Sequence, residues 1–94
     1  MKSILQEKKQ CLICGKQTNL HLHHIYHGGN RQISDKNGFT CWLCAEHHNM
    51  SNYSVHLNAK LDLEIKEMCQ IQFEKTHTRQ EFTKLIGKNY IIGD

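Results

Sequence analysis

Residues 41–48 read Cys41-Trp42-Leu43-Cys44-Ala45-Glu46-His47-His48, and two metal-ligand spacings overlap in them. Cys41-x-x-Cys44 would close a four-cysteine site with Cys11 and Cys14. Cys44-x-x-His47 would instead close a three-cysteine, one-histidine site with the same pair. Both suit tetrahedral zinc, so spacing alone leaves the choice open. Strand parity favours the second. Phe39-Thr40-Cys41-Trp42-Leu43 has the β-branched and aromatic content of a strand, and Cys41 then shares a face with Phe39 and Leu43. A thiol on that face packs as a small buried hydrophobe. Cys44 falls at the strand end, where the chain can turn back and offer His47.

Upstream, Cys11-Leu12-Ile13-Cys14-Gly15 has the form of a zinc knuckle, two thiolates at a tight turn that glycine permits. Leu20-His21-Leu22-His23-His24-Ile25 alternates apolar residues with histidine, the period of a half-buried strand. Leu20, Leu22 and His24 share one face of it, and His21, His23 and Ile25 the other. The two strands form a hairpin whose connection, residues 27–38 (HGGNRQISDKNG), reads as a loop rich in Gly, Asn and Asp. Long loops inside compact domains are commonly functional.

Downstream, residues 45–56 have uncertain helical character because Ser and Asn recur from Asn49 to Ser54. Leu57, Leu61, Ile65, Met68 and Gln72 then recur at helical spacing, with Cys69 and Phe73 beside them. Lys60, Glu64, Glu67, Gln70 and Glu74 are expected to face solvent. Thr78-Arg79-Gln80-Glu81 is a capping box that opens a second helix through Phe82, Leu85 and Ile86, stopped by Gly87. Residues 89–92 are read as a short strand or an apolar tail packed on the core. Residues 1–10 are a polar lead-in with at most one helical turn.

Ninety-four residues make one small domain, whose core leaves little stability margin without a staple. Five Cys and eight His are available for one, and six of the His fall between His21 and His48. The N-terminus lacks the apolar centre of a signal peptide, and no stretch approaches the roughly 18 apolar residues of a membrane span. The expectation is a soluble, cytoplasmic protein without a membrane partner, whose thiols bind metal rather than form disulfides. A net charge of +3 says little about partners by itself.

A histidine pair at a strand end (His23-His24), a zinc-ligand pair after the next strand, and His48 directly after His47 resemble the HNH, or ββα-metal (His-Me finger), nucleases. The resemblance covers residues 11–56. It implies a small α+β fold, a zinc-stapled ββα-metal hairpin–helix core followed by C-terminal helices. Residues 1–10 are then the lead-in and residues 11–94 a single nuclease domain. It also supports Cys11, Cys14, Cys44 and His47 as the structural zinc ligands, since family members place a catalytic histidine directly after the last of them. It implies that His23 and His48 bind a catalytic Mg²⁺ or other divalent ion, and that His24 is the general base. The third ligand is His56 or Asn52, with His56 favoured if the helix starts late. The asparagine that braces the base-carrying loop in the family corresponds to Asn37, with Asn30 as the other candidate. Arg31 and Lys36 are candidates for phosphate contact.

Across residues 11–92 the order Cys-x-x-Cys-Gly, Leu-His-x-His-His-Ile, Gly-x-Asn-Arg, Leu-Cys-x-x-His-His, Val-His and Gly-Lys-Asn-Tyr is similar to small phage HNH proteins. These are similar to the recombination enhancement function nucleases. That similarity implies DNA as substrate, no small-molecule substrate, a RecA filament as a partner, and the host cytoplasm as location. Those nucleases carry a long basic N-terminal extension where ten residues precede Cys11 here, so weak non-specific nicking is expected. Two competing readings remain: a second, closed zinc site built from His21, His23, His48 and His56, and a non-catalytic zinc module that binds DNA or protein.

Overall fold

The computed structural model describes residues 2–51 and 54–91. Two strands, β1 (Leu20–His24) and β2 (Thr40–Cys44), pair antiparallel, with Leu20 opposite Cys44, Leu22 opposite Trp42 and His24 opposite Thr40. Three α-helices accompany them: α1 (Arg31–Asn37), α2 (Ala59–Phe73) and α3 (Arg79–Ile86). The architecture is a small α+β domain, and its Cα radius of gyration of 12.8 Å is that of a compactly folded chain of this length.

The hairpin connection corrects the loop expectation for residues 27–38. A 3₁₀ turn over Gly28–Asn30 leads into α1, which Gly38 ends in the left-handed conformation at φ 73°. Asn and Asp content argued for a loop, but tertiary contacts overrule it. Ser34, 0% exposed, donates to the Tyr26 carbonyl at 2.6 Å and accepts from the Tyr26 N–H at 3.1 Å. Ile33 packs against the core one residue earlier.

His21 and His23 lie on the face that carries Leu43 and Cys41, and this is the buried face of the hairpin. Leu22, on the opposite face, is 42% exposed. Below the buried face, Tyr26, Phe39, Phe73 and Phe82 meet with ring centroids 5.4–6.1 Å apart, several of them edge-to-face. This aromatic cluster joins the hairpin to α2 and α3.

The Asn58 side chain caps α2 by accepting from the N–H groups of Lys60 and Leu61. Ile65, Cys69 and Phe73, four residues apart, form its buried stripe, so Cys69 is core as its helical position suggested. Leu57 and Met68 are exposed instead. Gln70, expected to face solvent, is buried. Its amide donates to Glu74 and Asn89 and accepts from the Tyr90 N–H, because residues 89–91 fold back over the helix and need a polar partner there. Those residues form a packed tail rather than a strand, and Ile92 lies outside the described residues. The expected capping box opens α3, with Thr78 and Glu81 bonding reciprocally, and Gly87 closes it.

Residues 2–10 form no helical turn. They run along the free edge of β2 instead, where Ser3 Oγ donates to the Thr40 carbonyl and Gln6 Oε1 accepts from the Trp42 N–H at 2.7 Å. Side chains thus occupy backbone groups that an open edge would present to another strand. Gly38 makes the passage possible, because a Cβ there would collide with the Lys2 carbonyl.

Candidate functional site

Two metal-competent clusters stand side by side on consecutive residues. In the first, the ligand atoms of Cys11, Cys14, Cys44 and His47 all lie within 4.8 Å of one another. Cys14 Sγ is 3.8 Å from Cys44 Sγ, Cys11 Sγ is 3.7 Å from His47 Nδ1, and Cys44 Sγ is 3.2 Å from that same nitrogen. A tetrahedron with metal–sulfur bonds of about 2.3 Å has edges of about 3.8 Å, so the set is compatible with zinc. Local folding accounts for the knuckle: the Gly15 N–H donates to the Cys11 carbonyl, and Gly15 takes φ 78°. Burial, the largest single influence, acts to raise the Cys11 thiol. Backbone N–H groups of Cys44, Cys14 and Ile13 nevertheless outweigh it and bring the thiol down to about 6, which favours the ligating thiolate. Cys41 stands apart, 0% exposed, and burial pushes its thiol up to about 12. The three-cysteine, one-histidine frame is therefore the one the fold assembles.

The second cluster holds His23, His48 and His56, one nitrogen of each within 4.8 Å of the others. A wide single-turn π-helix over Glu46–Met50 carries His47 and His48. The Val55 N–H donates to the His47 carbonyl and the His56 N–H to the His48 carbonyl, which folds His56 back beside His48. His48 and His56 Nε2 atoms are 3.0 Å apart. His23 is 2% exposed, and its Nε2 is buried without a hydrogen-bond partner. An orphaned imidazole nitrogen is costly unless something accepts its lone pair or proton. Burial and the neighbouring histidines His48 and His56 push His23 down to about 3. Burial, with His56 and His21 nearby, pushes His48 down to about 4. Both are thus held neutral, the form that ligates metal. An all-imidazole set suits borderline dications such as zinc, cobalt, nickel or copper, whereas Mg²⁺ prefers oxygen donors, so the donors do not support the magnesium expectation. Asn52 lies outside the described residues.

His24 is not part of that ring cluster. It points to the opposite face of β1, where its Nε2 faces Asp35 Oδ1 of α1 at 3.5 Å. His24, Asp35, Leu22, Arg31, Gln32 and Lys36 line an open groove of about 570 Å³, so both expected phosphate-contact residues flank the expected base. A second depression shares Leu22 and Asp35 with it and continues to Trp42, Lys8 and Lys9, with Lys9 Nζ 4.5 Å from the Trp42 ring centre. Asn37 donates to the Ile33 carbonyl within its own helix at 2.8 Å. Asn30 donates to the Ile86 carbonyl and ties the start of α1 to the end of α3.

Sequence reasoning missed Asp35, because a residue inside an assumed loop has no helical face to share with Arg31. It also missed Asp62, which is 3.5 Å from His27 Nε2 and 2.7 Å from Lys66 Nζ. Here the signal was the i, i+4 pairing with Lys66 on a helix already expected. Among the described residues no helix is long and apolar enough to cross a membrane. Comparison with family models, with curated proteins and with solved structures returns no match for the chain.

Proposed function

We propose that the chain is a metal-dependent DNA endonuclease of the ββα-metal type. Cys11, Cys14, Cys44 and His47 would hold a structural zinc, His23, His48 and His56 a catalytic dication, and His24 would be the general base. The observation that carries the reading is the unpartnered, buried Nε2 of His23 facing His48 and His56, one residue from a histidine that opens into a basic groove. A bound dication would supply charge neutralisation at the scissile phosphate and the leaving oxygen.

The remaining work falls to this chain's own groups. His23 and His24 are consecutive at the end of β1 but project to opposite faces of it, so the DNA backbone would have to cross that strand end to meet both. A neutral His24 with its proton on Nε2 towards Asp35 leaves Nδ1 free to take a proton from water. The carboxylate then faces the imidazolium that forms, as in other His–Asp pairs. Arg31 and Lys36 would draw the DNA backbone into the groove, and with Lys8 and Lys9 would make binding salt-dependent.

One observation favours a second reading. His24 turns away from the three-histidine cluster, as a non-catalytic zinc module that binds DNA or protein would allow. Incubation of zinc-loaded protein with supercoiled plasmid and Mg²⁺, Mn²⁺, Co²⁺ or Ni²⁺ in turn, with and without RecA filaments, separates the two. The nuclease converts plasmid to the nicked form, and a folded His24→Ala protein loses that activity. Plasmid left intact under every divalent ion, or full nicking by His24→Ala, would sink the catalytic assignment.

A further inference from the structure

His21 belongs to neither the four-ligand nor the three-ligand group, yet its Nδ1 lies 2.9 Å from His48 Nδ1. The rings meet edge-on with centroids 5.0 Å apart. His48 is thus held from both ends, Nδ1 by His21 and Nε2 by His56 at 3.0 Å. We infer that His21 is a positioning residue for the three-histidine site: it accepts the Nδ1 proton of His48 and so fixes Nε2 as the ligating atom. The inference rests on reading His23, His48 and His56 as a metal site, and does not depend on whether the protein cuts DNA.

The argument is one of tautomers. Two imidazole nitrogens at hydrogen-bond distance share one proton, so one of them donates. If His21 Nδ1 donated, neutral His48 would carry its proton on Nε2 and could not ligate through that atom. If His48 Nδ1 donates, its Nε2 lone pair is free on the side where His56 lies, and His21 keeps its own proton on Nε2. Only the second arrangement is compatible with a metal ion. Ligating histidines commonly have their second nitrogen held in this way, and loss of the partner typically weakens metal affinity about 10–100-fold.

The same geometry argues against His21 as a fourth ligand. The two nitrogens of an imidazole point in strongly diverging directions. With a metal–nitrogen bond of about 2.0–2.1 Å at His48 Nε2, an atom bonded to His48 Nδ1 lies on the far side of the ring. A four-coordinate ion held by His23, His48 and His56 therefore keeps one position for water or a phosphate oxygen. Strand parity makes the arrangement possible, because His21 and His23 lie on the same face of β1 two residues apart, and the π-helical turn brings His48 against both.

The test is Co²⁺ titration of the protein already loaded with one zinc, read by visible absorption. His21→Leu removes the acceptor, whereas His21→Asn places an amide oxygen close to where Nδ1 stands. The expected result is a Co²⁺ affinity about 10–100-fold weaker in His21→Leu and largely restored in His21→Asn, with the band shape of all three proteins alike. Unchanged affinity in His21→Leu overturns the proposal. An altered band shape with equal losses in both variants also overturns it, by making His21 a ligand. A wild-type protein that takes up no cobalt removes the metal reading itself, and that result is distinguishable from the others because His23→Ala then changes nothing.

Discussion

Replacing Ser34 by alanine tests whether α1 is held where the groove needs it. The Ser34 hydroxyl makes two hydrogen bonds to one residue, donating to the Tyr26 carbonyl at 2.6 Å and accepting from its N–H at 3.1 Å. No water reaches the site, since Ser34 is fully buried and Tyr26 is 2% exposed. Alanine fits the space but leaves a buried N–H and a buried C=O unpaired, each costing about 1–3 kcal/mol, the carbonyl less. We expect a loss of about 2–4 kcal/mol, a large part of the roughly 5–15 kcal/mol that a domain has in total. For a chain of this size each kcal/mol moves Tm by about 4–8 °C, so the midpoint falls by roughly 10–30 °C. The assay is calorimetry or urea unfolding of zinc-loaded protein. Ser51→Ala serves as the control, because Ser51 Oγ donates to the Glu46 carbonyl in an exposed bond and its loss should stay within about 0.5 kcal/mol. Ser34→Ala indistinguishable from that control would refute the reasoning, since the Tyr26 backbone groups would then have other partners. Because α1 carries Arg31, Asp35 and Lys36, the DNA binding proposed for the groove should also weaken in a surviving Ser34→Ala protein.

Chelation of the four-ligand site should unfold the protein, since structural zinc contributes about 10–16 kcal/mol in small domains, more than this fold can hold without it. Far-ultraviolet circular dichroism checks this, and Cys41→Ala should retain one zinc per chain where Cys44→Ala does not. Gly38→Ala places a Cβ against the Lys2 carbonyl at φ 73° and should cost about 1–3 kcal/mol. It should also shift the fluorescence of Trp42, the single tryptophan, as the strip bearing Gln6 and Lys9 lifts away; an unshifted spectrum would count against that packing. With only the structural zinc bound, stability should fall as pH drops below 6.5. His23 takes up a proton in the unfolded chain near 6.5 but in the fold only near 3, so the unfolded state is favoured throughout that interval. Between pH 6.5 and 5 the single group accounts for about 1.5 kcal/mol, and His23→Leu should lose that part of the slope in denaturant melts.

The zinc frame was legible because it needed only local information: two ligand spacings and the parity of one strand. His23 and His48 were legible as a pair through the family resemblance, and His56 beside Asn52 through the turn-prone stretch that delays the helix, but the sequence does not show the bonds by which the chain after Met50 folds back. Backbone bonds from Val55 and His56 to His47 and His48 make that return, and their partners are eight residues away. Helix α1 was hidden for a different reason. Its residues, Arg-Gln-Ile-Ser-Asp-Lys-Asn, have modest helix propensity, and Ser34 earns its place through a bond to Tyr26 rather than through periodicity. Gln70 shows the same limit in reverse. A polar residue on a helix reads as solvent-facing until a distant segment, here Asn89 and Tyr90, closes over it.

His47 and His48 are neighbours in the chain and belong to different metal clusters. If both take up ions as proposed, the consequence is an order of loading. The π-helical turn that presents His48 is anchored at one end by His47, so a chain whose knuckle is empty has no fixed position from which to offer His48. The reverse would not hold: an ion taken up by the three histidines as proposed could leave while Cys11, Cys14, Cys44 and His47 stayed closed. Zinc supply would then gate the second ion even when that ion is abundant, and the protein would mature in two steps rather than one. Uptake of the second ion by a zinc-free chain, seen by competition with a coloured chelator, would break that sequence.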